Sequence, residues 1–296
     1  MGLFLGNNLV SPTQLIKEIG IPREVKNGVY QMPTENFTFS LPSNATDVGS
    51  NGLYYAFQNC TSLTSVDLLS LTKVSGNNAL NYAFYDCTAL TSINLSSLTT
   101  VSGRGGLSHA FSDCSNLTSV DLSLLTIVSG ADGLHAAFQN CKGLTSVDLS
   151  SLTTISGTSG LQNAFQNCTS LTSINLSLLT TMSGNGALSG AFDNCKKLTS
   201  VDLSSLTTVS GNNALSSALR GCTALTDIYF RALTTSSFGS YKNQFNQMMI
   251  NTGSTVTHTL HFPSNMESTI QGLQGYPLFG GTSGYVVCAF DLPATE

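Results

Sequence analysis

Cysteine and histidine are the side chains here with the most chemistry to offer. Seven of the eight cysteines, Cys60, Cys87, Cys114, Cys141, Cys168, Cys195 and Cys222, recur every 27 residues. A thiolate can act as nucleophile, metal ligand or disulfide partner. Zinc, however, needs ligands that converge tetrahedrally, and one cysteine per repeat offers only a line. Neighbouring repeats would bring the Cα atoms within disulfide range, but seven in a row cannot all pair. The expectation is a reduced, buried column in which cysteine serves as a small hydrophobe with a weak S–H donor. Cys288 stands in an apolar run and is expected in a core. The histidines, His109, His135, His258 and His261, keep no common repeat position and form no nucleophile–base–orienter set. His258 and His261 are three apart in a predicted strand, which sends their rings to opposite faces. His109 and His135 are expected in solvent. No catalytic residue, no metal and no cofactor is therefore expected, and the protein is read as a non-enzyme.

The 27-residue period points to a different use of the polar side chains. One unit, from Gly52, reads GLYYAFQNCTSLTSVDLLSLTKVSGNN, and the following units keep AF, C, L, V/I-x-L and SG. Val66 and Leu68 alternate with Ser65 and Asp67, the period of a half-buried strand. Stacked strands would turn Ser65, Asp67, Ser92, Asn94, Ser119, Asp121, Ser146, Asp148, Ser173, Asn175, Ser200, Asp202, Asp227 and Tyr229 outward as two columns, the candidate binding face. The alternative is a solvated polar face that only keeps the sheet soluble. Positions that vary between units form a second candidate: Tyr54, Tyr55, Tyr82 and Tyr85 would make an aromatic patch, either an interface anchor or packing against the N-terminal segment. Lys73, Ile127 and Arg104 also vary.

These columns need elements to hold them. Leu53, Ala56, Phe57 and Cys60 lie at i, i+3, i+4 and i+7, which predicts a short helix before each strand. Asn51, Asn78, Gly105, Asp132, Ser159, Gly186 and Asn213 precede these segments and read as N-caps. A second extended piece near residues 71–74 closes on Ser75-Gly76, where glycine is expected to supply a positive φ. A single unit cannot bury its own Leu, Ala, Phe and Cys, so units must stack, with strands roughly 4.8 Å apart. The predicted fold is an α/β solenoid of seven units, with a parallel sheet on one face and short helices on the other. Residues 51–235 form the solenoid, 1–50 an N-terminal cap and 236–296 a C-terminal cap. The caps are predicted to hold helices near residues 13–19 and 241–250 and two or three strands toward the C-terminus.

The string Leu63-Thr-Ser-Val66-Asp-Leu68 matches the leucine-rich-repeat strand signature, and the AF-x-x-C before it resembles the BspA-like (Treponema-type) leucine-rich repeats of bacteria. The resemblance covers about residues 52–235 and departs from that family in its longer period. It implies a leucine-rich-repeat fold and a surface protein that binds host matrix, other cells or other proteins. Leu3-Phe-Leu-Gly-Asn-Asn8 and Gly275-Tyr-Pro-Leu-Phe-Gly-Gly281 are similar to segments of phage and prophage tail-associated leucine-rich-repeat proteins of gut Firmicutes.

Composition narrows the classes further. With 11 Lys and Arg and a net charge of −5 over 296 residues, the chain lacks the basic surface a nucleic-acid partner would require. No stretch approaches the roughly 18 apolar residues of a membrane span. The opening Met1-Gly-Leu-Phe-Leu-Gly6 lacks a basic secretory n-region and a Ser or Thr at position 6. A virion-associated or cytoplasmic location is therefore expected over classical secretion. The sequence reads as a recognition or adhesion module for a protein or surface glycan, on a bacterial surface or a phage tail. The alternative is a structural spacer or assembly subunit of a particle.

Overall fold

A computed structural model describes residues 35–238, 243–245, 247–248, 257–273 and 286–293, with the backbone of four short strands nearer the N-terminus. Those four form two antiparallel pairs, Leu3–Leu5 with Asn8–Val10 and Glu24–Lys26 with Val29–Gln31. From residue 37 to residue 238 the chain is a parallel-strand coil, each turn having three sides.

The first side is the predicted strand. Leu63–Asp67, Ser92–Asn94, Ser119–Asp121, Ser146–Asp148, Ser173–Asn175, Ser200–Asp202 and Asp227–Tyr229 follow the 27-residue period, in three hydrogen-bonded groups. Equivalent repeat positions pair: Val120 with Val147, Val147 with Ile174 and Ile174 with Val201. The column runs beyond the seven units. Phe37–Ser40 pairs in parallel with Leu63–Asp67 at one end. At the other, Asp227–Tyr229 pairs with His258–Pro263, which pairs with Val286–Leu292. The solenoid thus has about nine turns rather than seven. The second side is a six-stranded parallel sheet of two-residue strands, from Lys73–Val74 to Thr208–Val209.

The third side corrects the helical expectation. Among the described residues the only helix is near the C-terminus, a 3-10 turn Ser264–Met266 running into the five-residue α-helix Glu267–Gln271. The segments predicted as helices are runs of turns in which every fourth residue is left-handed. In one coil these are Asp132 (φ 56°), Ala136 (50°) and Asn140 (61°). Amides alternate in their use. Those of His135, Ala137 and Gln139 bond three residues back, whereas those of Leu134, Ala136, Phe138 and Asn140 bond forward to carbonyls of the next coil. A helix would have spent every amide within one segment. Here half of them tie coil to coil, so this side is held by backbone bonds as the sheets are. The predicted N-caps Asn51, Asn78, Gly105, Asp132, Ser159, Gly186 and Asn213 all have φ between 51° and 62°, so they are the first left-handed residue of each run. Asn, Asp and Gly suit that conformation best.

The Ser-Gly corner is also built differently from expectation. Gly103, Gly130, Gly157, Gly184 and Gly211 lie in a column with ordinary φ, and a Cβ on any of them would overlap the carbonyl of the glycine one coil earlier. Close backbone approach, not positive φ, demands glycine here.

Inside, like stacks on like. Phe57, Phe84, Phe111, Phe138, Phe165 and Phe192 stack at 5.1–5.7 Å with ring planes within 6°. The seven repeating cysteines are free thiols, buried beside this column. The predicted helix near 13–19 lies outside the described residues, as does half of 241–250; the described half, 243–245 and 247–248, is not helical, and Gln247 is left-handed (φ 52°).

Candidate functional site

Parallel register places the predicted outward residues as two columns. Ser119, Ser146, Ser173 and Ser200 are adjacent, as are Asp121, Asp148, Asn175 and Asp202. Ser65 pairs with Ser92 and Asp67 with Asn94. From Asp67 to Tyr229 the two columns are exposed or half-exposed, while the residue between them in each strand is buried. A shallow groove of about 440 Å³ runs over Ser119, Asp121, Ser146, Asp148, Ser173 and Asn175.

The acidic column also has local work. Asp121 Oδ1 accepts the amide of Ser123 and Asp148 Oδ1 that of Ser150, each at 2.9 Å; Asp67, Asn94, Asn175 and Asp202 do the same two residues on. In each case this oxygen closes the turn after its strand, and the four aspartates keep a second carboxylate oxygen that takes no part in that bond. Threonine hydroxyls beside the strands are similarly committed, each donating to the carbonyl one coil earlier, as Thr145 does to Thr118 at 3.0 Å.

At the C-terminal end the face changes character. His261 Nδ1 lies 2.9 Å from Asp291 and Nε2 lies 3.0 Å from Asp227, so one imidazole bridges three adjacent strands. Tyr229 stacks on His261 at 4.4 Å, and the Arg231 guanidinium lies 4.8 Å from the Tyr229 ring centre. Burial works against charge on His261, but the two carboxylates outweigh it and raise its pKa. The hydrogen bond from His261 lowers that of Asp227. His258 is fully buried, its Nδ1 on the Leu225 carbonyl, so the two rings do face opposite ways. Sequence reasoning found Asp227 and Tyr229 but missed His261 and Asp291, because no repeat spacing links them.

The turn side holds the aromatic candidates. Tyr55 stacks on Tyr82 at 4.9 Å, Tyr82 on His109 at 4.5 Å, and His109 meets His135 edge-on at 5.0 Å. Tyr54 packs edge-on against Tyr55 at 4.3 Å, and Tyr85 lies 5.5 Å from Tyr82. The four tyrosines do come together, but Tyr82 is covered on both faces. Tyr54 and Tyr55 are the exposed members of the patch. His109 and His135 are half-buried members of this row rather than solvated side chains. Burial, then the proximity of His135, pushes the His109 pKa down to about 4; burial lowers that of His135. Farther along, Gln139, Gln166, Asp193 and Arg220 hydrogen-bond in series, with Asp193 buried.

The cysteine column is structural. Cys141 Sγ lies 3.1 Å from the Phe111 carbonyl, and Cys87, Cys114, Cys168, Cys195 and Cys222 each reach the equivalent phenylalanine at 3.1–3.2 Å. Burial pushes these thiols up, Cys195 to about 12, which removes thiolate chemistry near neutrality. No group of three or more metal-ligating side chains converges among the described residues.

Comparison with known proteins comes from family and structure. A model described as BspA type leucine rich repeat region matches six times, over residues 23–159, 81–218 and 135–261. No curated protein sequence matches. The fold is similar to a leucine-rich repeat protein from Bacteroides ovatus, at 17% identity and TM-score 0.30 over 83% of this chain and 92% of that one. A Treponema pallidum leucine-rich repeat protein is 18% identical, with TM-score 0.39 over 93% and 97%. An internalin from Listeria monocytogenes is 16% identical, with TM-score 0.23 over 74% and 68%.

Proposed function

Because the chain belongs to the BspA-type leucine-rich repeat family, we propose that it is a non-enzymatic recognition or adhesion module that binds a protein or cell-surface glycan through the Ser/Asp face of its first sheet, presented on a bacterial surface or a phage tail. The observation that carries this reading is the two-column face, Ser119 to Ser200 beside Asp121 to Asp202, held in unbroken register. Each strand is fixed by its neighbours and each Asp or Asn is clamped by its own turn amide. Many weak polar contacts are thereby preorganised, and little ordering entropy is lost on binding. The carboxylates favour a donor-rich or cationic partner surface. In this reading residues 1–50 and 236–296 close the ends of the solenoid.

A photo-crosslinking amino acid at Ser146, with one at the exposed Ile127 of the second sheet as control, tests the assignment on intact bacterial and host cells. Crosslinks from position 146 and not from 127 support the face. Equal labelling from both, or labelling from 127 alone, overturns it and leaves the spacer reading.

A further inference from the structure

The turn side carries a hollow of about 600 Å³ whose origin can be read column by column. One column runs Asn51, Asn78, Gly105, Asp132; the next runs Tyr54, Asn81, Ser108, His135. The third coil contributes the smallest residue to each, Gly105 and Ser108, between larger side chains of the coils on either side. Asn78 leans into the place a Gly105 Cβ would take, its Oδ1 2.6 Å from it, and the hollow lies beside this pair. Gly105 and Ser108 lie where the side chains are smallest. Asn78, Asn81 and Tyr82 line the hollow from the second coil, Asp132 and His135 from the fourth, with His109 and Arg104 from the third. The volume falls in the range of small-molecule sites, about 300–1,000 Å³.

The lining is neutral and rich in hydrogen-bonding groups. Asn81 Nδ2 donates to Asn78 Oδ1 at 3.2 Å, while Asn81 Oδ1 is shielded from solvent with no hydrogen-bond partner. His135 Nδ1 is in the same condition. Both atoms are sealed from water, so a ligand in the hollow meets the other polar groups of the lining. Ser108 Oγ lies 3.0 Å from His109 Nδ1, which fixes that ring. Arg104 and Asp132, 4.0 Å apart, place a donor fork and an acceptor together. Paired donors and acceptors around a small volume are what adjacent hydroxyl groups require, each hydroxyl giving one hydrogen bond and accepting others. Tyr82 is covered on both faces, so recognition would run through hydrogen bonds rather than ring stacking.

We propose that this hollow is a binding site for one sugar ring of a neutral glycan, distinct from the sheet face and on a different side of the coil. Its floor residues Gly105 and Ser108 make room, and Asn81, Arg104, Asp132 and His135 select hydroxyls.

Saturation-transfer NMR on the full chain tests it, with glucose, galactose, mannose, fucose and the two N-acetylhexosamines as probes. Two variants are compared, Ser108→His, which fills the hollow with the residue its column carries one coil later, and Asp132→Asn, which keeps a residue suited to the left-handed backbone. The expected result is transfer to at least one sugar from the native chain, with affinity falling roughly tenfold or more in both variants. Asp132→Asn decides alone if Ser108→His does not fold. Transfer to none of the sugars, or transfer undiminished in folded variants, overturns the proposal. Loss of sheet-face crosslinking does not bear on it.

Discussion

Cys141 donates its S–H to the carbonyl of Phe111, thirty residues earlier, across 3.1 Å of buried space. That carbonyl already accepts the amide of Cys114, so the thiol supplies the second hydrogen bond that a buried carbonyl can take. The most conspicuous residue of the repeat is thereby a coil-to-coil fastener.

The thiols should be silent in the native state. Ellman's reagent should modify Cys288 first, because it is only partly buried, although burial raises its pKa to about 12. The other seven should react only on unfolding. Rapid native reaction at any of the seven would contradict the buried column.

Gly157→Ala and Gly186→Asn should part company. At Gly157 a Cβ overlaps the Gly130 carbonyl, and backbone cannot move aside as a side chain can. Overpacking of this kind costs about 1–3 kcal/mol. Gly186 is left-handed (φ 62°) in a column where Asn51, Asn78 and Asn213 are left-handed too. Asparagine there should leave the melting temperature nearly unchanged. Comparable losses in both variants would return the corner glycine to a conformational role.

Phe138→Ala should cost about 3–5 kcal/mol by opening a cavity in the phenylalanine column. Because each coil contacts only its neighbours, denaturant unfolding should also lose two-state character. A change within about 0.5 kcal/mol would mean that the column is not close-packed.

The two ends should respond oppositely to pH. His261 has a raised pKa, so its contribution is full below the unfolded value of 6.5 and is lost as pH rises through the folded value. His109 is held neutral, with its pKa near 4, so folding is penalised as pH falls below 6.5. Hydrogen exchange by segment should show looser strands around His258–Pro263 at higher pH and looser turns around residues 105–113 at lower pH. His261→Gln should abolish the first trend and leave the second. A common direction at both ends would refute this account.

Much of the fold is legible in the sequence because the solenoid repeats its instructions. Cys60 to Cys222 fix the period, and the alternation around Val66 identifies the strand, its register and the columns of Ser and Asp. The helix expectation fails for a definable reason. Left-handed residues four apart produce a turn stack whose inward set, Leu134, Phe138 and Cys141, matches helical spacing over so short a run. The signal that separates the two was present: Asn or Asp at 132, 140, 167 and 194 and Gly at 105, 186 and 190, all left-handed, are residues that a helix interior disfavours. His261 and Asp291 were not legible, because they meet through pairing outside the repeat. The hollow at Gly105 and Ser108 was not legible either, because it arises from two small residues aligned between larger neighbours on other coils.

The most direct test of the sheet-face assignment is retention of the full chain by intact bacterial and host cells, native against a triple variant Asp121→Asn, Asp148→Asn and Asp202→Asn. Asparagine at 94 and 175 already accepts the turn amide, so the variant should keep its fold and melting temperature. The account predicts retention reduced roughly tenfold or more, with an unchanged circular dichroism melt. Full retention by the folded variant would contradict it.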